Sequence, residues 1–397
     1  MKNNLKVATI ILVAATLAAC GQNKKENYKF KAGLITLHDD KSTYDANFIN
    51  GFKAACAKMN VEPVISTGIP EGTEAKDEAI DLAENGCKFV FADSFGHEQH
   101  ILNAAKNYPD VEFAHATGTR AHTAKLANFH NAFASIYEGR YLAGVAAGLK
   151  LQAMGNVSHK IGYIGAYTYA EVISGLTSYY LGVKSIVSDV TMDVQFTGQW
   201  YDETGEKTAA ELLIGEGCTI ISQHADSMGA PKACESAKVP NITYNGSTEK
   251  ECPNTYVISS KIDWEPYFEY AFQQIIDKKA IDNDYCKGLG TALDNGSVAL
   301  GEPGKLGAAE GTKDKLEEVA KKLRDGSLKV FDCSKFTVNG EHLTSYMADV
   351  DQDEAFTKDT EVIKTAGDVT YFAESEFRSA PYFDIQIDGI NFLNTAF

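Results

Sequence analysis

The sequence predicts an α/β protein built from two doubly wound lobes, each with a parallel sheet covered on both faces. Two observations lead to this prediction. Short apolar segments alternate with segments of helical spacing from residue 30 onward, and the alternation starts again at residue 160. Because short apolar strands that alternate with helices form parallel sheets, each series predicts one α/β unit. A chain of 397 residues is long enough for two such domains.

The elements follow in order along the chain. In the first series we expect strands over 30–37, 61–66, 87–92 and 112–116, and helices over 46–59, 74–85, 98–107 and 137–151. In the second we expect strands over 160–165, 191–196, 219–222 and 241–244, and helices over 171–182, 206–215 and 230–237. The later segments predict helices over 267–277 and 313–324 and a strand over 297–300. Segments after residue 257 are expected to contribute helices and strands to both units.

The first twenty residues have the pattern of a bacterial export signal that ends in a lipobox. Lys2 and Lys6 precede an apolar run over 7–19, which closes on Leu17-Ala18-Ala19-Cys20. The run is too short to span a bilayer and ends in small residues, which is typical of a cleaved signal peptide. We therefore expect a signal peptide over 1–20 and lipidation of Cys20, with palmitate as one of the acyl chains. An ordinary signal peptide with an incidental cysteine is the alternative.

The expected location follows from this anchor. Residues 21–29 are polar and predict a tether. The protein would be attached to the cell membrane by lipid only and would face outside the cytoplasm. Its formal net charge of −17 argues against nucleic acid as a partner, since polyanions repel so acidic a chain.

The cysteines predict neither a metal nor a cofactor. Eight are present, and no CxxC or CxxH pair occurs, so a structural zinc site is not expected. The seven cysteines other than Cys20 cannot all pair with one another. A Cys234–Cys252 bridge is conceivable in an oxidising compartment.

The candidate site residues follow the predicted strands. In open α/β sheets, ligands bind beyond the carboxyl ends of the strands. The segments there combine polar groups with aromatic rings, which suits a cleft for a flat polar ligand. The alternative for any single residue is a turn or a helix cap. The candidates are Asp40, Tyr44, Asp45, Phe95, Thr117, Tyr167, Trp200, His224, Asp226, Asn245, Asp263 and Trp264.

Several of these residues lie in motifs that resemble the basic membrane protein family, lipoprotein receptors for purines and nucleosides that serve ABC importers. The resemblance covers about 30–333. Its motifs include Asp40-Lys-Ser-Thr-Tyr-Asp45, Tyr137-Glu-Gly-Arg-Tyr-Leu-Ala-Gly-Val-Ala-Ala147, Gly198-Gln-Trp-Tyr-Asp202 and Asp263-Trp-Glu-Pro-Tyr267. It implies a type I periplasmic binding protein fold, in which two lobes are joined by crossing hinge segments, and a monomer that works with an ABC permease.

The resemblance also implies roles for individual residues. Tyr44 matches the aromatic residue that stacks on the base from the first lobe, and Trp200 matches its counterpart in the second. Asp45 matches the residue that hydrogen-bonds the base edge, where the family usually has Asn. Asn245 stands where the family has a ribose-binding carboxylate, and Asp263 or Trp264 stands near the position of a family lysine. These departures leave open whether ribose is recognised.

The expected domain bounds combine the resemblance with the strand–helix pattern. Lobe 1 is predicted over 30–154 and 257–288, and lobe 2 over 155–256 and 289–334. The acidic but aromatic-rich extension over 335–397 is expected to pack on the body, since a free linker would not hold so many aromatic rings.

The sequence thus predicts a non-enzymatic receptor that captures a purine nucleoside or nucleobase between its lobes. The first alternative is an enzyme such as a nucleoside hydrolase, in which Asp39, Asp40 and Asp45 would form a calcium site. A second alternative is a receptor for a sugar or a metal.

Overall fold

The computed structural model describes residues 27–285, 297–350 and 357–395. The predicted signal peptide, Cys20 and most of the tether lie outside these residues, as do Cys286 and part of the predicted hinge after 288. Across the described ranges, no helix is long and apolar enough to cross a membrane.

The first lobe is built on a five-stranded parallel sheet in the order β2-β1-β3-β4-β5. Its strands are β1 (Lys31–Ile35), β2 (Glu62–Ser66), β3 (Cys87–Ala92), β4 (Glu112–Ala116) and β5 (Phe129–Ala132). The intervening helices are α1 (Thr43–Met59), α2 (Thr73–Glu84), α3 (Glu98–Ala105) and α4 (Ala121–Ala124).

The second lobe is built on a seven-stranded sheet in the order β11-β10-β9-β8-β6-β7-β16. Its strands are β6 (Lys160–Gly165), β7 (Thr191–Phe196), β8 (Ile221–His224), β9 (Asn241–Tyr244), β10 (Tyr256–Ile262), β11 (Val298–Leu300) and β16 (Ile390–Phe392), of which β11 runs antiparallel to β10. The helices after residue 135 are α5 (Ile136–Ala153), α6 (Ala170–Lys184), α7 (Glu203–Gly215), α8 (Gly229–Ala237), α9 (Glu265–Asp277) and α10 (Thr312–Arg324).

Helix α1 shows how local sequence places the site. The Ser42 side chain caps its first turn by accepting a hydrogen bond from the Asp45 N–H, and the chain leaves the helix at Asn60 in the left-handed conformation. Its apolar face carries Phe48 and Phe52, whose rings pack against Trp264 and Phe268 respectively. This core fixes the start of α1 against the carboxyl end of the first sheet.

Two of the predicted lobe boundaries differ from the observed packing. Helix α5, expected in lobe 1, packs closely on α6 of the second lobe. A Cβ at Gly144 would lie 2.0 Å from the Tyr179 carbonyl oxygen, so the two helix backbones touch there. Strand β10, also expected in lobe 1, pairs with β9 of the second sheet. The chain therefore crosses between the lobes just before α5 and again between β10 and α9. The predicted boundary between 288 and 289 lies outside the described residues.

The extension after residue 335 contacts the body through a strand and a buried core. Strand β16 pairs in parallel with β7 at the edge of the second sheet. Two short hairpins precede it, formed by β12 (Met347–Ala348) with β13 (Thr360–Glu361) and by β14 (Ile363–Ala366) with β15 (Val369–Phe372). The Phe383 ring stacks on Phe331 with ring centroids 4.4 Å apart. The extension also contacts the first lobe, because the Ser379 N–H donates to Asp284 Oδ2 at 2.7 Å.

The cysteines described by the structure are free and buried, and these include Cys234 and Cys252. The bridge considered between these two residues is therefore not formed. Burial raises the pKa of the Cys252 thiol to about 11 and so disfavours its reactive thiolate form.

Candidate functional site

A narrow cavity lies between the lobes, at the carboxyl ends of both sheets. Aromatic rings and carboxyl groups make up most of its wall. The lining residues are Leu37, His38, Tyr44, Asp45, Ser94, Phe95, Thr117, Glu171, Trp200, His224 and Asp226.

The first-lobe wall is organised around the buried carboxyl group of Asp45. Its Oδ1 accepts the His38 backbone N–H at 2.7 Å, and its Oδ2 accepts the Ser42 hydroxyl and lies 3.4 Å from His38 Nδ1. Beside it, the Tyr44 hydroxyl donates to the Asp93 carbonyl oxygen at 2.8 Å. These bonds hold both side chains at the start of α1.

Two further features of this region, one beside the wall and one in it, are unusual for a protein interior. Burial, and after it the Asp45 charge, raises the pKa of the Asp93 carboxyl well above its usual range. Thr117 adopts a left-handed backbone with φ 61°, which is unfavourable for a β-branched residue. Strained residues of this kind concentrate at functional sites.

The second-lobe wall carries Glu171, Trp200, His224 and Asp226. Glu171 is the second residue of α6, and its Oε1 lies 3.5 Å from His224 Nε2. Burial lowers the pKa of His224 although Glu171 acts in the opposite direction, so the imidazole is neutral near pH 7. Burial also raises the pKa of the Asp226 carboxyl well above its usual range, reinforced by the charges of Asp45, Glu206 and Glu171.

An aromatic row at the rim connects the lobes. Phe95 of the first lobe stacks on Tyr169 of the second, with ring centroids 4.8 Å apart and an interplanar angle of 26°. Tyr169 stacks in turn on Tyr167, and the edge of Tyr167 meets Trp200 at 4.9 Å. A second contact between the lobes is the hydrogen bond from the Thr43 N–H to the Asp226 carbonyl oxygen at 3.0 Å.

Eleven of the twelve predicted site residues fall into three groups. Seven of them line the cavity: Tyr44, Asp45, Phe95, Thr117, Trp200, His224 and Asp226. Asp40, Asn245 and Asp263 line a separate recess, which Thr43 also lines. Tyr167 lies behind Trp200 in the aromatic row.

Trp264 requires a correction, because it lies in the hydrophobic core of the first lobe and lines neither recess. Its side chain is 2% exposed, and its ring stacks on Phe48 with centroids 4.3 Å apart. An aromatic residue that follows a strand can turn toward the cleft or toward the core. Here the apolar face of α1 supplies the better partner.

Four lining residues are absent from the set of candidates: Leu37, His38, Ser94 and Glu171. His38 and Ser94 come three and two residues after the ends of β1 and β3, so the strand-end rule could have found them. Glu171 comes five residues after Ala166, which follows β6, and the first turn of the following helix brings its carboxyl group back to the cavity. Cavity residues therefore come from the first turn of the following helix as well as from the strand end.

The aspartates considered for a calcium site do not form one cluster. Asp39 and Asp40 are exposed, whereas Asp45 is buried and its oxygens are hydrogen-bonded within the protein. Within the described ranges, no group of three or more His, Cys, Asp or Glu residues could hold a metal ion.

The two lobes, their crossing segments and the cavity between them form the fold of the type I periplasmic binding proteins. The fold matches an ABC transporter solute-binding protein from Conexibacter woesei with a TM-score of 0.61 and 19% identity, covering 76% of this chain and 98% of that one. The predicted fold class is therefore confirmed.

The family is shown by sequence. A family model described as "ABC transporter substrate-binding protein PnrA-like" matches residues 35–328, and the chain belongs to this Bmp family. A purine-binding protein from Brucella abortus is 31% identical over 271 residues, 67% of this chain and 75% of that protein. The nucleoside-binding protein BmpA from Lactococcus lactis is 26% identical over 306 residues, 74% of this chain and 83% of that protein. The extension after 335 lies beyond the matched residues.

Proposed function

We propose that this protein is the receptor of an ABC importer and captures a purine base or purine nucleoside in the cavity between its lobes. The observation that carries the proposal is the cavity itself, in which Tyr44 and Trp200 come from different lobes and stand among buried carboxyl groups. Aromatic faces bind the flat purine ring, and carboxylates accept hydrogen bonds from its N–H groups. Two relatives, which are named as a purine-binding and a nucleoside-binding protein, support the same ligand class.

The mechanism is binding followed by hinge closure, without bond chemistry. A ligand that contacts both lobes stabilises the closed state more than the open one and so shifts the population toward it. Phe95 and Tyr169 would close the rim over the ligand. The closed form would then present itself to the permease. Cys20 would anchor the receptor by lipid at the outer face of the cell membrane, where more than one acyl chain gives stable attachment.

The test is calorimetric titration with adenine, guanine, adenosine, guanosine and inosine. Tyr44→Ala and Trp200→Ala should each weaken binding of the preferred purine by roughly ten- to a hundredfold, because each removes one stacking surface. Tyr108→Ala is the matched control, since its hydroxyl bonds Glu84 far from the cavity. Binding by both cavity variants as tight as that of the parent would show that these rings do not hold the ligand.

Two further measurements test the mechanism. Small-angle scattering should give a smaller radius of gyration when the preferred purine is bound, and an unchanged curve at saturation would remove the closure step. Incubation with a nucleoside should leave it intact, whereas release of free base would favour the hydrolase alternative.

A further inference from the structure

Two carboxyl groups of the cavity lack partners that would satisfy them. Asp226 is 4% exposed, and among the described residues no side-chain or backbone donor is hydrogen-bonded to its carboxyl group. Glu171 is 9% exposed, and its Oε1 lies 3.5 Å from Nε2 of the neutral His224 imidazole, while no donor of the described residues is hydrogen-bonded to its Oε2. A buried carboxyl group without a hydrogen-bond partner is costly, so a ligand that supplies donors at this place gains affinity.

The hydroxyl groups around the cavity are already donating to the protein. The Tyr44 hydroxyl donates to the Asp93 carbonyl oxygen at 2.8 Å, and the Ser94 hydroxyl donates to Glu71 at 2.6 Å. The Thr117 hydroxyl donates to the Ala116 carbonyl oxygen at 2.6 Å. The wall therefore offers many acceptors and few free donors, which is the complement of a ligand rich in N–H groups.

The charges of the wall point the same way. Among the described residues no Lys or Arg lines the cavity, and its basic groups are the imidazoles of His38 and His224. His38 faces Asp45, and His224 faces Glu171. An anionic ligand would meet Asp45, Glu171 and Asp226 without a cation to balance its charge, so the cavity suits an uncharged ligand.

From this arrangement we infer that Glu171 and Asp226 are the specificity-determining residues of the second lobe and accept hydrogen bonds from N–H groups of an uncharged purine base. This inference rests on the proposed function and adds which groups of the purine the protein recognises, namely its N–H donors. A site built around such bonds rejects analogues that lack the donors, because the buried acceptors are then left unpaired.

The test uses three ligands of the same ring system with decreasing numbers of donors. Adenine carries an exocyclic amine and a ring N–H, purine lacks the amine, and 9-methylpurine lacks the ring N–H as well. In calorimetric titrations of the parent protein, affinity should fall by about 10- to 100-fold from adenine to purine and again to 9-methylpurine. Equal affinities for the three ligands would overturn the inference. Absence of binding for every purine tested would instead contradict the proposed function itself.

The variants Glu171→Gln and Asp226→Asn test the residues while keeping their shape. Each should reduce the ratio of adenine affinity to 9-methylpurine affinity by about fivefold or more, since the amide replaces one acceptor oxygen by an NH2 group, and this loss affects only ligands that carry N–H donors. Glu211→Gln, an exposed carboxyl on α7 of the same lobe, is the matched control and should leave the ratio unchanged. Variants that weaken all three ligands by the same factor would show a structural role and overturn the assignment. If a variant fails to fold, the affinities of the parent protein for the three ligands still test whether the N–H donors of the purine are recognised.

Discussion

Substitution of Glu374 by Gln should make the free energy of unfolding depend less on pH. Glu374 is 2% exposed and lies where the extension meets the body. Its Oε1 accepts the Ser174 hydroxyl at 2.7 Å, and its Oε2 accepts the backbone N–H groups of Tyr382 and Phe383 at 3.2 and 3.1 Å. Burial raises the pKa of the carboxyl to about 7 from its ordinary 4.5, even though these three bonds act to lower it.

The sign of the effect follows from this raised pKa. Between pH 4.5 and 7 the folded protein holds a proton on Glu374 that the unfolded chain has released. The carboxyl therefore contributes fully to stability below pH 4.5, and this contribution is lost as the pH rises toward 7. A shift of this size corresponds to about 3 kcal/mol in the free energy of unfolding.

Glutamine keeps the shape of the side chain but cannot ionise. Its carbonyl oxygen can accept the Tyr382 and Phe383 N–H groups, and its amide can donate to the Ser174 hydroxyl. We expect Glu374→Gln and the parent to unfold at similar urea concentrations at pH 4.5, and the variant to be more stable by up to about 3 kcal/mol at pH 8.

The assay is urea unfolding at pH 4.5, 6 and 8 at constant ionic strength. Glu206, whose pKa burial raises to about 7, titrates in the same range in both proteins, so the difference between them isolates Glu374. Glu341→Gln, at an exposed position of the same extension, is the control and should follow the parent. Parallel pH profiles for Glu374→Gln and the parent would refute this reasoning.

Three further outcomes are expected. Trp264→Ala should lower the free energy of unfolding by about 3–5 kcal/mol in urea titrations, since it empties a core position, and a loss below 1 kcal/mol would contradict its placement. Phe95→Ala should weaken purine binding by roughly two- to tenfold in calorimetry by removing the stack on Tyr169, and unchanged affinity would mean that the rim does not stabilise closure. Cys20→Ser should move the protein from the membrane fraction to the soluble fraction on immunoblots, and unchanged membrane association would contradict the lipid anchor.

The architecture could be predicted where the chain carries short apolar runs, as in β1, β3 and β6, or strict alternation, as in β7. Strand β5 could not, because its sequence Phe-His-Asn-Ala has neither an apolar run nor alternation. Strand β10 is rich in serine, and the strands of the extension have two to four residues, too few for a period to show. The lobe that α5 joins depends on Gly144 meeting α6, which is a tertiary contact that no local pattern reveals.

The cavity could be predicted to a similar extent. The rule that ligands bind beyond strand ends selected Tyr44, Trp200 and Asp226, which the structure brings to one cavity. It gave no means of telling this cavity from the neighbouring recess of Asn245, since both lie at the same edge. Thr43 lines the recess and hydrogen-bonds Asp226, which lines the cavity, and this contact joins residues 183 positions apart.

The central claim is that the cleft binds a purine, and the most direct test is calorimetry on purified protein freed of bound ligand. The protein would be unfolded in urea, refolded, and titrated with purine bases and nucleosides and, in parallel, with glucose and ribose. We expect saturable one-to-one binding of at least one purine and no heat of binding with either sugar. Saturable binding of a sugar with none of any purine would contradict the account.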